Sequence, residues 1–255
     1  MKKAVAINGS ARADGSTAQL LQAALEGAKT AGAEVEFVQL SDLKGRGCKG
    51  CSKCKMLGAK NYPDCICKDD IAALIEQLKN ADVIFFGSPI HYGHVSSWMQ
   101  RLWERMFYTV SPSEPYSATF WPSKTPTALF LTTNQELKLD VNLKELTNAE
   151  ILLHYKELQI NTLPSYIAHF DRTVGSFNLR ISSQVLEFTD GYDKYYTYQF
   201  DEEKIRKHHD TVFVQELEEA KRLGQKLCEQ AEKTENEYIK KHFEWIKENV
   251  PELNL

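Results

Sequence analysis

The fold is decided by residues 3–31, which read KAVAINGSARADGSTAQLLQAALEGAKTA. The short apolar run from Lys3 to Asn8 predicts a β-strand, and Gly9 with Ser10 predicts a turn after it. From Thr17 to Ala31, apolar residues recur at three- and four-residue intervals, which predicts an amphipathic helix. This stretch is therefore a strand, a loop and a helix, the first unit of an alternating α/β chain.

The same alternation continues along the chain. Further strands are predicted at Glu34 to Leu40, Val83 to Gly87, Thr127 to Thr132 and Phe177 to Phe188. Helices are predicted at Ile71 to Asn80 after the capping residues Asp69 and Asp70, at Ser96 to Tyr108, at Asp140 to Arg172 with a break at Pro164, and at Glu202 to Glu248. This order predicts an α/β fold with a doubly wound, five-stranded parallel sheet and helices on both faces.

Composition narrows the class of protein. The chain has 255 residues, 42% hydrophobic and 26% charged, which is ordinary for a globular protein and disfavours collagen-like, coiled-coil and disordered classes. A net charge of −4 gives no broad basic surface for nucleic acid. No apolar window is long enough for a membrane span or a secretion signal, so we expect a cytoplasmic protein. We expect one domain over residues 1–230 and a C-terminal helical extension over residues 231–255.

The first candidate site is the loop of residues 8–17. Parallel sheets bind ligands beyond the carboxyl ends of their strands, where the winding direction reverses. Ser10, Arg12, Ser16 and Thr17 offer hydroxyl and guanidinium donors beside a helix N-terminus, a combination that suits a phosphate monoester. The alternative is that Ser16 only caps the helix and the glycines only turn the chain.

The loops after the third and fourth strands offer a flat surface. Pro89 and Gly93 restrict the backbone, while Ile90, His91 and Tyr92 present apolar and planar groups that suit a heteroaromatic ring. The alternative is that His91 is an ordinary loop residue. Thr133 and Asn134, after the next strand, offer hydrogen bonds to the edge of such a ring.

Five of the six cysteines lie within the cysteine loop, which we define as residues 41–68. Cys48, Cys51 and Cys54 are spaced at x₂ intervals, as in iron-sulfur proteins, and Cys65 and Cys67 follow. A four-cysteine zinc site and no metal at all are the alternatives. Without a metal, the cysteines would line a helical stripe as small buried residues, or have their thiol pKa lowered by Lys49, Lys53 and Lys55. The remaining Cys228 is expected to be buried on a helix.

These motifs together resemble a known family. Asn-Gly-Ser-x-Arg at 8–12, Ser16-Thr17, Gly-Ser-Pro-Ile-x-Tyr-Gly at 87–93 and Asp69-Asp70 resemble the flavodoxin-like NAD(P)H-dependent FMN reductases, in particular the iron-sulfur flavoproteins among the multimeric flavodoxin-like oxidoreductases. The resemblance is dense over residues 1–132. One departure is that Thr132-Thr-Asn-Gln135 stands where many relatives have a Gly-rich loop.

The resemblance implies a flavodoxin-like fold that binds FMN. It places the phosphate on Ser10, Arg12, Ser16 and Thr17, and the ring on Pro89, Ile90, His91, Tyr92 and Gly93. It also implies a [4Fe-4S] cluster on Cys48, Cys51, Cys54 and Cys65, with Cys67 as an alternative fourth ligand.

The expected function is that of an FMN-dependent oxidoreductase. It would pass reducing equivalents from NAD(P)H to a quinone-like or other small acceptor, or to a redox protein, and no side chain is assigned as catalytic. The alternatives are an FMN electron carrier, with or without a cluster, that lacks NAD(P)H activity, and a thiol-dependent sensing or partner-binding module. We expect a homo-dimer or homo-tetramer with the helix Ser96 to Tyr108 at the interface.

Overall fold

A parallel β-sheet forms the centre of the molecule. The computed structural model describes residues 1–112, 118–137, 150, 160–175, 177–197 and 200–250. The strands are β1 (Lys3–Asn8), β2 (Glu34–Gln39), β3 (Val83–His91), β4 (His94–Val95), β5 (Thr127–Thr132) and β6 (Phe177–Ser182). Five of them pair in parallel in the order β2-β1-β3-β5-β6, and the short β4 pairs antiparallel with the end of β3. This is the strand order of flavodoxin-like folds, and it confirms the predicted five-stranded sheet.

Seven α-helices lie in the described part of the chain. They are α1 (Ser16–Thr30), α2 (Asp70–Lys79), α3 (Ser97–Val110), α4 (Leu163–Thr173), α5 (Glu202–His208), α6 (Val214–Gln230) and α7 (Glu237–Asn249). The predicted cap of α2 is confirmed, because the Asp69 carboxylate accepts from the Ala72 amide at 3.0 Å.

Three predicted boundaries differ from the structure. Residues 160–162 are not helical and Pro164 stands in the first turn of α4, so the predicted break lies just before Pro164, because proline needs no hydrogen-bond acceptor in a first turn. The single helix predicted over Glu202 to Glu248 is divided by a π-helical turn at His209–Phe213 and by residues 231–236. The predicted strand Phe177 to Phe188 ends at Ser182, and residues 140–149 and 151–159 of the predicted helix Asp140 to Arg172 lie outside the described residues.

Helices cover both faces of the sheet, as predicted. Val5 and Ile7 of β1 point into a core with α2, α3 and α4, whereas Ala4 and Ala6 point into a core with α1 and α6. Successive strand residues alternate between faces, so β1 contributes to both cores. Cys228 lies on α6 in the second core and is fully buried, which confirms its prediction.

Two glycines let α1 and α6 cross in close contact. A Cβ atom on Gly27 would lie 1.8 Å from the Lys221 carbonyl oxygen, and one on Gly224 would lie 2.0 Å from the Ala24 carbonyl oxygen. Any side chain at either position would therefore push the two backbones apart. This contact places α1, and with it the loop that precedes α1, against the C-terminal part of the chain.

The last helix, α7, packs against the body of the protein. The Asn236 side-chain amide donates to the carbonyls of Thr119 (2.9 Å) and Trp121 (2.7 Å), and the Tyr62 hydroxyl lies 2.6 Å from Nε2 of His242. The division into residues 1–230 and 231–255 stays a prediction. Among the described residues, no helix has both the length and the apolar character needed to cross a membrane.

Candidate functional site

The predicted ligand-binding loops meet at one cavity of about 280 Å³, which we call the edge cavity. It lies beyond the carboxyl ends of β1, β3, β5 and β6, where a doubly wound sheet is expected to bind. The predicted residues that line it are Ser10, Arg12, Ser16, Thr17, Pro89, Ile90, His91, Thr133 and Asn134. Tyr92 and Gly93 were predicted to belong to this group but do not line the cavity.

The N-terminus of α1 opens into the edge cavity without a side-chain cap. The N-cap residue is Gly15, and no side chain accepts a hydrogen bond from the first turn, so the alternative that Ser16 caps the helix is wrong. Ser10, Ser16 and Thr17 are buried around this end. Uncapped amides, the positive end of the helix dipole and hydroxyl donors together form a site for an anion.

A hydrogen-bond network fixes the loop that leads into α1. The Asn8 side-chain amide donates to the Arg12 carbonyl (3.0 Å) and to Oε1 of Gln39 (2.7 Å), and Nε2 of Gln39 donates to the Ser10 carbonyl (2.6 Å). Gln39 ends β2, and sequence reasoning did not include it. Its only signal was a polar residue at the carboxyl end of a strand beside β1. The network holds the loop's hydroxyls in place before any ligand arrives.

The loop after β3 is a tight hairpin. Tyr92 and Gly93 connect β3 to β4 with φ angles of 51° and 78°, as in hairpin turns that need positive φ at both central residues. Tyr92 is 100% exposed at the tip, outside the edge cavity. Behind it, the Ser96 hydroxyl donates to the Gly9 carbonyl at 2.6 Å, which ties the hairpin to the loop after β1.

Glu187 is a cavity residue that sequence reasoning missed. The Arg12 guanidinium donates to the Glu187 carbonyl and approaches its carboxylate at 3.4 Å, and the Asn134 amide donates to the same carboxylate. Arg12, predicted as a phosphate contact, is therefore paired with Glu187 in this structure. The sequence had placed Glu187 in a strand, so nothing in the pattern assigned it to a loop at the cavity.

The five cysteines of the cysteine loop line a second, small cavity, which we call the cysteine cavity. Its wall includes Arg105 of α3, which is 2% exposed and donates to both carboxylate oxygens of Asp69 (2.7 and 2.8 Å) and to Sγ of Cys65 (3.3 Å). Between the short turn Leu40–Asp42 and the start of α2, the only regular structure is one 3₁₀ turn, Lys53–Lys55. The cysteines therefore do not line a helical stripe.

The thiols have environments that differ from the prediction. Burial raises the pKa of the Cys54 thiol and outweighs the lowering by Lys55. Burial together with the neighbouring Cys65 raises the pKa of the Cys67 thiol and outweighs the lowering by Lys49. Within the described ranges, no group of three Cys, His, Asp or Glu side chains is spaced to hold a metal ion. As a donor set, however, five thiols around one cavity beside a guanidinium fit an iron-sulfur cluster or a zinc ion.

The chain is similar to curated iron-sulfur flavoproteins. One from Methanocaldococcus jannaschii is 36% identical over 103 residues, covering 40% of this chain and 51% of that protein. One from Archaeoglobus fulgidus is 37% identical over 103 residues, covering 40% of this chain and 48% of that protein. The chain thus spans about half the length of the curated relatives that it matches.

Solved structures with the same fold are more distant in sequence. An NAD(P)H:quinone oxidoreductase from Methanothermobacter marburgensis is 13% identical with a TM-score of 0.58, covering 89% of this chain and 98% of that one. An FMN-dependent NADH-azoreductase from Bacillus anthracis in complex with FMN is 11% identical with a TM-score of 0.54, covering 88% and 100%. Residues 2–129, half of the chain, match the NADPH-dependent FMN reductase family. With the flavodoxin-like sheet and the edge cavity in place, this match means that the chain belongs to the NADPH-dependent FMN reductase family.

Proposed function

We propose that this protein uses FMN to pass reducing equivalents from NADH or NADPH to a quinone-like or other small acceptor. The observation that carries the proposal is the edge cavity, in which an uncapped helix N-terminus faces an apolar loop end. FMN, when bound, supplies hydride acceptance and release. The protein supplies position and electrostatics, and we assign no side chain as a catalytic acid or base.

The residues of the edge cavity fit FMN in two parts. The amides at the start of α1 and the hydroxyls of Ser10, Ser16 and Thr17 would hold the phosphate, because this end carries no acidic side chain in its first turn. Arg12 and its partner Glu187 lie at the same cavity. In this arrangement Arg12 neutralises charge at the cavity edge, and Glu187 keeps its guanidinium in place.

The ring would lie against the end of β3. Pro89, Ile90 and His91 line the cavity opposite the phosphate loop, with Thr133 and Asn134 beyond β5 as hydrogen-bonding partners. Pro89 pairs in register with Thr132, so this part of the cavity wall continues the sheet. Tyr92 and Gly93 stay part of the proposal as residues that would approach the ring from the hairpin tip.

The test of FMN binding compares two threonines of the same helix. Thr17→Val removes a buried hydroxyl at the cavity and should weaken FMN about tenfold, the value of one hydrogen bond. Thr30→Val removes an exposed hydroxyl in the last turn of α1 and should leave FMN affinity unchanged. Riboflavin, which lacks the phosphate, should bind both variants alike. Equal FMN affinity in the two variants, measured by fluorescence titration, would count against the phosphate site.

Steady-state kinetics tests the donor and acceptor. Purified, FMN-loaded protein should oxidise NADH or NADPH with menadione or ferricyanide as acceptor. Ping-pong kinetics are expected if donor and acceptor use the same open face of the ring. Failure to oxidise either nucleotide, with FMN bound, would leave the electron-carrier alternative.

The proposal includes an iron-sulfur cluster on Cys48, Cys51, Cys54 and Cys65. All four line the cysteine cavity, and Cys65 rather than Cys67 receives the N–H of Arg105 at 3.3 Å. Donation from a guanidinium stabilises the negative charge of a thiolate ligand, which favours Cys65 as the fourth ligand. Iron and sulfide assays on protein purified without oxygen test this part.

A second candidate function is electron transfer to a protein partner without NAD(P)H activity. The cysteine loop favours it, because this loop carries exposed cations as well as three exposed apolar side chains, Met56, Leu57 and Ile66. The exposed cations are Lys44, Arg46, Lys49, Lys60 and Lys68. Such a surface attracts an acidic redox protein in a salt-dependent manner. Rapid NAD(P)H oxidation by the pure protein would exclude this candidate.

A further inference from the structure

A third cavity of about 470 Å³ lies between α3 and α4, and we call it the helix cavity. Its volume is within the range of about 300–1,000 Å³ that small-molecule sites occupy. On α3 it is lined by one stripe that includes Trp103 and Phe107, and on α4 by a stripe that includes Tyr166 and His169. Lys55 of the cysteine loop closes one end. None of its lining residues also lines the edge cavity.

Aromatic rings form the walls of the helix cavity. Trp103 and Tyr166 meet edge to face with centroids 4.8 Å apart, and the Phe107 ring lies 6.1 Å from Trp103. Trp103 is 1% exposed, yet within the described part of the chain its indole N–H has no hydrogen-bond partner. The walls therefore suit a planar aromatic ligand, with an unsatisfied donor in one wall.

The charged groups at one end of the helix cavity are mainly cationic. The Lys55 ammonium donates to the Ser111 carbonyl and lies 5.0 Å from the centre of the Tyr108 ring. Nη2 of Arg172 donates to the Ser111 hydroxyl at 2.7 Å. The one carboxylate among the described lining residues is Glu104, which accepts from the Cys48 amide at 3.2 Å.

Lys55 has unused donor capacity. An ammonium group has three N–H donors, and the described residues give it one hydrogen-bond acceptor. Lys55 is a partly buried cation with free donors beside a second cation. Binding of an anion between the two cations is therefore favourable.

We infer that the helix cavity binds a planar aromatic carboxylate, with its ring against the aromatic wall of Trp103, Phe107 and Tyr166 and its carboxylate on Lys55. The ring would gain apolar burial, and the carboxylate would gain a charge-assisted hydrogen bond. The site is separate from the proposed FMN site and does not depend on it. It adjoins the cysteine cavity, because Tyr108 lines both.

The test uses FMN-saturated protein, so that the edge cavity is filled, and 2-naphthoate as the probe. Calorimetric titration should show one saturable site, and the neutral analogue 2-naphthamide should bind about tenfold more weakly. Lys55→Gln should weaken 2-naphthoate by a similar factor, and Lys55→Arg should largely retain it. Lys53→Gln is the matched control, because Lys53 is in the same 3₁₀ turn but does not line the cavity.

The following results would overturn the inference. They are no saturable binding up to about 1 mM, equal affinities for naphthoate and naphthamide, and equal losses in the Lys55→Gln and Lys53→Gln variants. Loss of naphthoate binding when FMN is added would also overturn it, because the probe would then occupy the edge cavity. Circular dichroism of each variant establishes that a loss of affinity is not a loss of folding.

Discussion

Replacing Arg105 with Met should destabilise the protein by about 3 kcal/mol, the lower end of the range for breaking a buried ion pair. The guanidinium is buried and donates to both oxygens of Asp69, to the Arg46 carbonyl at 3.1 Å and to Cys65. Met fills the space but donates nothing. The Asp69 carboxylate keeps the backbone amides of Ala72 and Arg46 as partners, and some solvent contact, which is why the lower end applies.

Urea unfolding at pH 7, followed by circular dichroism, measures this free energy. The matched control is Arg101→Met, one turn earlier on α3, because Arg101 donates to the carbonyls of Leu40 and Gly45 and no described carboxylate pairs with it. The control should lose about 1 kcal/mol. A loss below about 1 kcal/mol for Arg105→Met, or equal losses in both variants, would refute the reasoning.

The same pair predicts a pH dependence. Burial alone would raise the pKa of Asp69, but the hydrogen bonds from Arg105 and Ala72 bring it below the ordinary value of 3.8. A carboxyl with a lowered pKa in the folded state stabilises the fold above its unfolded pKa, and this contribution is lost as the pH falls through the folded pKa. The stability difference between wild type and Arg105→Met should therefore begin to narrow only as the pH falls towards and below 3.8. A constant difference would contradict the assignment.

Three further predictions concern packing, ligation and assembly. Gly224→Ala should lower the free energy of unfolding in urea by about 3 kcal/mol, because its Cβ would lie 2.0 Å from a backbone oxygen of α1. Gly15→Ala should lower it far less, because the atom nearest to its Cβ would be 3.3 Å away. In protein purified without oxygen, Cys67→Ser should retain about four iron atoms per chain, and Cys65→Ser should lose them. The reverse result would make Cys67 the ligand. Light scattering should show a homo-dimer or homo-tetramer, and a monomer with FMN bound would contradict this.

Local patterns in the sequence were enough to predict the elements that form the sheet. The bounds of β1 (Lys3–Asn8) and β5 (Thr127–Thr132) match the prediction, because a buried parallel strand is a short apolar run with polar or turn residues at its ends. The Asp69 cap was predictable for the same reason, since a capping carboxylate and the amide that donates to it are three residues apart. The loops at the edge cavity followed from the order of the strands.

Contacts between distant parts of the chain were not predictable in this way. Arg12 meets Glu187 across 175 positions, and no local pattern marks either residue as the other's partner. The close approach at Gly27 and Gly224 is similar, because an isolated glycine in a helix has several explanations. The helix Ser96 to Tyr108 was predicted to lie at a subunit interface, whereas the role of Trp103 as a cavity wall depends on α4 lying beside it.

Helix α3 and its cap contribute to three cavities, two of which share Tyr108. At its start, Ser96 holds the loop beside the edge cavity. Arg105 and Thr109, four residues apart, line the cysteine cavity, whereas Trp103 and Phe107, also four apart, line the helix cavity. A step of two residues turns a helix by about 200°, so these pairs point in different directions from the same backbone. Substitutions on one face should therefore leave the others intact, and folded Arg105→Met protein should bind FMN with unchanged affinity.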